Sequence, residues 1–187
     1  MSKYKGNCAN FIDWKYIVDH LEDSILGEVY NGERIKKVID IDITTDPVIE
    51  HNRKTAKIWV ESNYNIDSIS FKLFRPTVHY DNSVEDILSE LLGGRCITSS
   101  ISKVDPGYTA ALHEDSNFND KITDKIIRYV IFISPPNSGH IFVLENETFS
   151  NMTMGDIYSW DHLSQIHGAA NISFTPQYLF HIECIEE

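Results

Sequence analysis

Through the first half of the chain, apolar residues recur every three or four positions. In residues 11–25 (FIDWKYIVDHLEDSI), Phe11, Trp14, Ile17, Val18, Leu21 and Ile25 share one helical face and the charges take the other. That spacing predicts an amphipathic helix, ended by Gly27. A second helix is predicted over 48–60, with Pro47 where a first helical turn tolerates it. A third is predicted over 84–92, with Ser83 as N-cap and Gly93-Gly94 as the stop. Between them residues 68–74 (SISFKLF) alternate with a period of two, the pattern of a strand.

After Gly94 the period changes. Residues 96–104, 108–113, 126–134, 140–144, 156–160 and 178–185 are short runs rich in β-formers. Turn signals separate them: Asp105-Pro106-Gly107, Pro135-Pro136-Asn137-Ser138-Gly139 and Met154-Gly155-Asp156. Several short strands at this interval predict a sandwich or barrel. The expected organisation is a mainly β chain with N-terminal α structure. Residues 1–94 form a helical support region, and 95–187 form the β core of the same single domain.

Composition narrows the partners. The 187 residues fit one domain, and 42% hydrophobic with 11% aromatic residues suffices for a sizeable core. No apolar run reaches the about 18 residues of a membrane span, so none is expected. The start, MSKYKGNCANFIDWK, lacks the apolar stretch of a secretory signal. Cys8, Cys96 and Cys184 are few and widely spaced, which predicts neither a disulfide framework nor a thiolate metal site, and a cytoplasmic location is the expectation. A net charge of −12 repels phosphate backbones, so no nucleic-acid partner is expected.

The sharpest chemical signal is His113-Glu114-Asp115. On an extended segment, residues i and i+2 point to one face, so His113 and Asp115 aim an imidazole and a carboxylate at a common point while Glu114 turns away. One further histidine completes a two-histidine, one-carboxylate triad, a donor set that leaves positions open on Fe(II). The residues alone leave His140, His162, His167 and His181 as candidates. His167 stands out because Gly168, Ala169 and Ala170 follow it and let strands approach closely.

The order of features adds a likeness. A strand and a Pro-Gly turn precede the His-x-Asp tripeptide; the apolar run IIRYVIFIS with Arg128, the run 140–144 and then Met154-Gly155-Asp156-Ile157-Tyr158-Ser159-Trp160 follow it; His167-Gly168-Ala169-Ala170-Asn171 comes last. This order resembles the Fe(II)- and 2-oxoglutarate-dependent oxygenases. Within them it is most similar to the aspartyl/asparaginyl β-hydroxylase family, which includes bacterial free-proline hydroxylases. The similar stretch runs from about residue 97 to 185; the N-terminal half carries no matching motif. The resemblance implies a double-stranded β-helix of jelly-roll or cupin-like form. It makes His113 and Asp115 the first two iron ligands and His167 the distal one. It implies hydroxylation of an amino acid or of a protein or peptide side chain with O2 and 2-oxoglutarate, no residue beyond the ligands having a catalytic act.

2-Oxoglutarate needs a cation for its far carboxylate, and an arginine fork suits it. Much of the superfamily places that cation on the last strand, where this chain has Gln177 and no Arg or Lys after His167. Arg128 is the expected substitute, since a cation inside an apolar run is costly unless paired. Ser102 and Gln177 are expected to add hydrogen bonds. The other reading of Arg128 is a strand-edge charge paired with Asp124 or Glu145. Tyr108, Tyr158 and Trp160 are candidate walls of the substrate mouth, or simply core packing. The alternative to hydroxylation is a cupin-like metal-binding protein without 2-oxoglutarate turnover; a binding module that has lost turnover is a third.

Overall fold

The chain is described by a computed structural model at residues 3–21, 25–41, 44–75, 83–115, 125–135, 137–160 and 165–186. From the N-terminus come strand β1 (Lys3–Asn7), helix α1 (Trp14–Asp19), strand β2 (Ile25–Asn31), helices α2 (Gly32–Ile39) and α3 (Pro47–Glu61), strand β3 (Ser70–Arg75) and helix α4 (Ser83–Leu92). The rest is strand: β4 (Gly94–Val104), β5 (Thr109–His113), β6 (Ile126–Phe132), β7 (His140–Leu144), β8 (Glu147–Phe149), β9 (Asp156–Trp160), β10 (His167–Asn171) and β11 (Gln177–Glu186).

Seven strands form one sheet, ordered β1-β9-β6-β11-β4-β3-β2, and four form a second, ordered β5-β10-β7-β8. Every ladder in both is antiparallel. From β4 onward the chain passes back and forth between the sheets, returning within the smaller one only at the β7–β8 hairpin. Two ribbons wound together in this way are a double-stranded β-helix, the jelly roll, and the expected fold class holds.

The central strands show why their sequences read as unbroken apolar runs. In β6 and the residue after it, Tyr129, Ile131 and Ile133 belong to one core cluster and Val130 and Phe132 to another. The first cluster is closed from outside by α1 and α4 through Trp14, Ile17 and Leu88. The second lies between the sheets and takes in Ala56 and Trp59 of α3. Both faces are covered, so both parities are apolar. Strand β11 divides similarly: Phe180, Ile182 and Cys184 join the outer cluster, whereas His181 and Glu183 turn toward a cavity between the sheets.

The N-terminal region departs from the helical support that was expected. Residues up to 94 also supply β1, β2 and β3, which extend the larger sheet at both ends. These pairings join residues far apart in sequence: β1 with β9, and β3 with β4. They override local periodicity, because strand formation depends on neighbours that a sequence window does not contain. The helix expected over 11–25 is correspondingly short. Asp13 caps it by accepting from the Tyr16 N–H, it ends at Asp19, and Ile25 already pairs with Arg75 in β2. Positions 22–24 of that expected helix, His162, Asp124 and Pro136 lie outside the described residues. The other two helices hold, with Asp46 capping α3 ahead of Pro47. No described helix is long and apolar enough to cross a membrane.

Candidate metal centre

His113 ends β5 and His167 begins β10, and the two are direct partners across the ladder, with ring centroids 4.4 Å apart. Close approach of the backbones sets this up. At Gly168 a Cβ would lie 2.7 Å from the Ala110 carbonyl oxygen, so any side chain there would push the strands apart. Asp115, two residues beyond His113, brings Oδ1 to 3.5 Å from His167 Nε2. One donor atom from each of His113, Asp115 and His167 lies within 4.8 Å of the other two, and among the described residues these three are the cluster with metal-ligand geometry.

The second nitrogen of each ring fixes its role. His113 Nδ1 lies 2.8 Å from the Ala111 carbonyl oxygen and His167 Nδ1 lies 3.1 Å from that of Gln165. A carbonyl only accepts, so each Nδ1 carries a proton and donates it, and each Nε2 is the nitrogen turned toward the shared point. Burial, followed by the nearby His167 imidazole, pushes the His113 pKa down to about 4. Two imidazoles, that of His113 held neutral, beside a carboxylate make a donor set that fits the implied iron.

Arg128 reaches the same point from β6. Its side chain is 5% exposed; Nε stands 3.1 Å from Asp115 Oδ2, and a terminal guanidinium nitrogen stands 2.9 Å from Glu183 Oε1. Register makes the second contact, since Arg128 and Glu183 are direct partners between β6 and β11. Nε is off line for a hydrogen bond to Asp115, so that contact is an ion pair of less directed kind. Among the described residues its partners are Asp115 and Glu183; Asp124, one partner in the alternative reading, lies outside them. Arg128 already faces two carboxylates in the cavity that a 2-oxoglutarate anchor would have to serve.

The remaining candidates divide. Ser102 lines the cavity, and its hydroxyl lies 2.9 Å from His181 Nε2. Trp160 is 3% exposed and walls the site with its ring 5.0 Å from that of His167. Gln177, Tyr108 and Tyr158 do not line the cavity. Gln177 is turned into the barrel and its amide donates to the Ile141 carbonyl oxygen. Tyr108 lies in the exposed turn before β5, and Tyr158 packs on the rings of Tyr4 and Phe149. Neighbouring positions on a strand face opposite ways, so Tyr158 and Trp160 share a parity while their different depths along β9 separate their surroundings. Of the other histidines, His140 donates from Nε2 to the Thr175 carbonyl oxygen, a structural role.

Of three further participants, sequence reading left His181 among its candidate histidines and missed Glu183 and the part played by α3. Glu183 is one; its acid in an apolar run was a signal, but register alone reveals its partner. His181 is another: burial first, then His167, pushes its pKa down to about 4. The third is α3, which places Asn52 and Thr55 on the cavity and is pinned by Trp59 Nε1 donating to the Leu112 carbonyl oxygen, one residue before His113. The cavity has a volume of about 500 Å³, enough for an amino-acid-sized molecule. Its lining carries Glu28, Glu114, Asp115 and Glu183 against Arg75 and Arg128.

The two depressed imidazoles imply a pH dependence. An unfolded histidine titrates near 6.5, whereas His113 and His181 in the native chain titrate near 4. Between those values the unfolded chain binds protons that the native chain refuses. Stability of the metal-free protein is then complete above pH 6.5 and falls as pH drops toward 4. Urea midpoints taken on both sides of that window should show the fall; equal midpoints would mean that both rings meet solvent.

No family model matches the sequence, and no curated protein matches it. Solved structures give a loose likeness. A predicted oxalate decarboxylase of Thermotoga maritima is 11% identical over 62% of this chain and 81% of that one, with a TM-score of 0.39. A cupin-superfamily sugar phosphate isomerase of Silicibacter pomeroyi is 12% identical over 61% of this chain and 59% of that one, with a TM-score of 0.37. The oxalate decarboxylase of Bacillus subtilis, described with Mn(II) centres, is 17% identical over 63% of this chain and 26% of that one, with a TM-score of 0.40. None of these three is described as a 2-oxoglutarate-dependent oxygenase.

Proposed function

We propose that this chain binds one divalent metal ion, Fe(II) by its donor set, through His113, Asp115 and His167, and acts with it on a small polar molecule held in the barrel, without requiring 2-oxoglutarate. The observation that carries this reading is the pair of opposed imidazoles. Each is tied by Nδ1 to a backbone carbonyl, leaving Nε2 and a carboxylate within 4.8 Å. When bound, the ion supplies Lewis acidity and open positions for O2 or a substrate donor atom. The protein's own part is positional. Arg128 holds Oδ2 of Asp115, so Oδ1 is the oxygen left facing His167. Trp160 and Phe142 keep the floor apolar, and Ser102 and Asn52 offer polar contacts to a substrate.

A narrower reading is a 2-oxoglutarate-dependent hydroxylase of an amino acid or peptidyl side chain. It is favoured by the placement of His-x-Asp at the end of β5 and the distal histidine at the start of β10. The pairing of Arg128 with two carboxylates, and the surplus of acids over arginines around the cavity, weigh against a dianionic cosubstrate there.

Anaerobic titration with Fe(II), with and without 2-oxoglutarate, separates the readings. The expected result is stoichiometric binding of the metal, no visible charge-transfer band on adding 2-oxoglutarate, and no succinate on admitting O2. A band accompanied by succinate would establish the narrower reading instead. Failure to bind Fe(II), Mn(II) or Co(II) at micromolar concentration would remove both.

A further inference from the structure

Cys96 on β4 and Cys184 on β11 are directly opposed in an antiparallel ladder, and their sulfurs stand 3.2 Å apart. A local irregularity creates this meeting. Glu183 pairs with Thr98, yet Cys184 pairs with Cys96, so Ile97 is an extra residue in β4 without a partner of its own. In an unbroken register Cys184 would face Ile97, and the two sulfurs would point to opposite faces of the sheet. Opposed Cα atoms in an antiparallel ladder are about 4.5–5.5 Å apart, inside the span of about 4.4–6.8 Å that a disulfide bridges. Both thiols are free.

The three cysteines are unlike. Cys184 is 2% exposed, whereas Cys96 is half-buried beside α4 and its backbone N–H donates to Ser89 Oγ. The sulfur contact between the two lowers the Cys96 pKa and, with burial, raises that of Cys184. Cys8 is fully buried, donates to the Gly155 carbonyl oxygen, and is pushed up to about 11 by burial. Cys96 is thus the thiol reachable from solvent and the easier one to ionise, with a second thiol already in contact.

We propose that Cys96 and Cys184 form a hydroperoxide-reactive thiol pair that closes to a disulfide across β4 and β11. The oxidant is hydrogen peroxide or an organic hydroperoxide. Cys96 thiolate attacks one peroxide oxygen; the S–O bond forms as the O–O bond breaks, giving a sulfenic acid and a hydroxide or alkoxide that takes a proton. Cys184 sulfur then attacks the Cys96 sulfur. The S–S bond forms, the S–O bond breaks, and the departing hydroxide leaves as water with the Cys184 proton. Two thiols lose two electrons and two protons, and the hydroperoxide is reduced to two waters, or to water and an alcohol.

The test treats the reduced full chain with hydrogen peroxide, then denatures and alkylates it. The expected product has lost two hydrogens by intact mass, carries an alkyl group on Cys8 alone, and yields a proteolytic peptide linking Cys96 to Cys184. Cys184→Ser should stop at a sulfenic acid on Cys96 that dimedone captures, and Cys96→Ser should leave Cys184 an unmodified thiol. Three alkylated cysteines after peroxide, or a bridge to Cys8 or to a second molecule, would overturn the pairing. The link spans 88 positions, so the oxidised protein should unfold at higher urea than the reduced one. A lower midpoint would show that closure distorts the strands, and would overturn the claim that the bulge already holds them in bridging geometry.

Discussion

His167→Ala should abolish metal binding at micromolar ion while the chain remains folded. Of the three donors, His167 is the most buried, at 4% exposure, and it faces His113 directly across the ladder. Removing a group that merely orients a metal ligand costs about 10–100-fold in affinity. Removing a ligand itself, from a site with only three protein donors, should exceed about a hundredfold. The fold has other support at this point, because Gly168, Ala169 and the backbone ladders to β5 and β7 are untouched. Asp115→Ala should give a similar loss and should also free one face of Arg128. Glu114→Ala is the matched control: its carboxylate is exposed at the cavity edge and is not part of the donor cluster. Calorimetric titration with Mn(II) or anaerobic Fe(II) reads all three. Equal affinity of wild type and His167→Ala would show that the ion, if bound at all, is bound elsewhere.

Arg128→Ala should cost about 3 kcal/mol of folding stability, the lower end of what breaking a buried ion pair costs, because both partner carboxylates keep some contact with solvent. The guanidinium is 5% exposed, and its loss leaves Asp115 and Glu183 facing a cavity with no counter-charge at that point. Glu183 already has a pKa raised by burial, which Arg128 opposes. Without the arginine that carboxyl should take up a proton at higher pH, so the variant should regain part of its stability on mild acidification. Combining Arg128→Ala with Glu183→Gln should cost less than the sum of the two single changes, since the charge left unpaired is then absent. Urea unfolding of the four proteins reads both effects. A loss below about 1 kcal/mol would place the pair among solvent-screened surface contacts.

The readable parts of this chain were those governed by neighbours in sequence. Helices α3 and α4 followed from apolar spacing and from local signals, Pro47 in the first turn of one and Gly93-Gly94 after the other. Strands β6, β7, β9 and β11 followed from compact runs of β-branched and aromatic residues between turn signals. The His-x-Asp pair was legible as a tripeptide, although β5 ends at His113 and Asp115 lies two residues beyond it. By contrast, β1 (KYKGN) and β8 (ETF) carry no apolar alternation, and they exist because β9 and β7 offer them unpaired edges.

Sequence alone therefore determined the β-rich second half, its turns, and the proximity of His113 and Asp115 on one segment. Tertiary structure decided what register decides: that His167 lies opposite His113, that Arg128 meets Glu183 and Asp115, and that Ile97 brings two sulfurs face to face. It also decided that α3 covers the cavity, with Trp59 fastened to β5. The physical reason is common to all four. Each depends on which residue of one strand or helix stands beside which residue of another, and a shift of one position exchanges the faces of an entire strand.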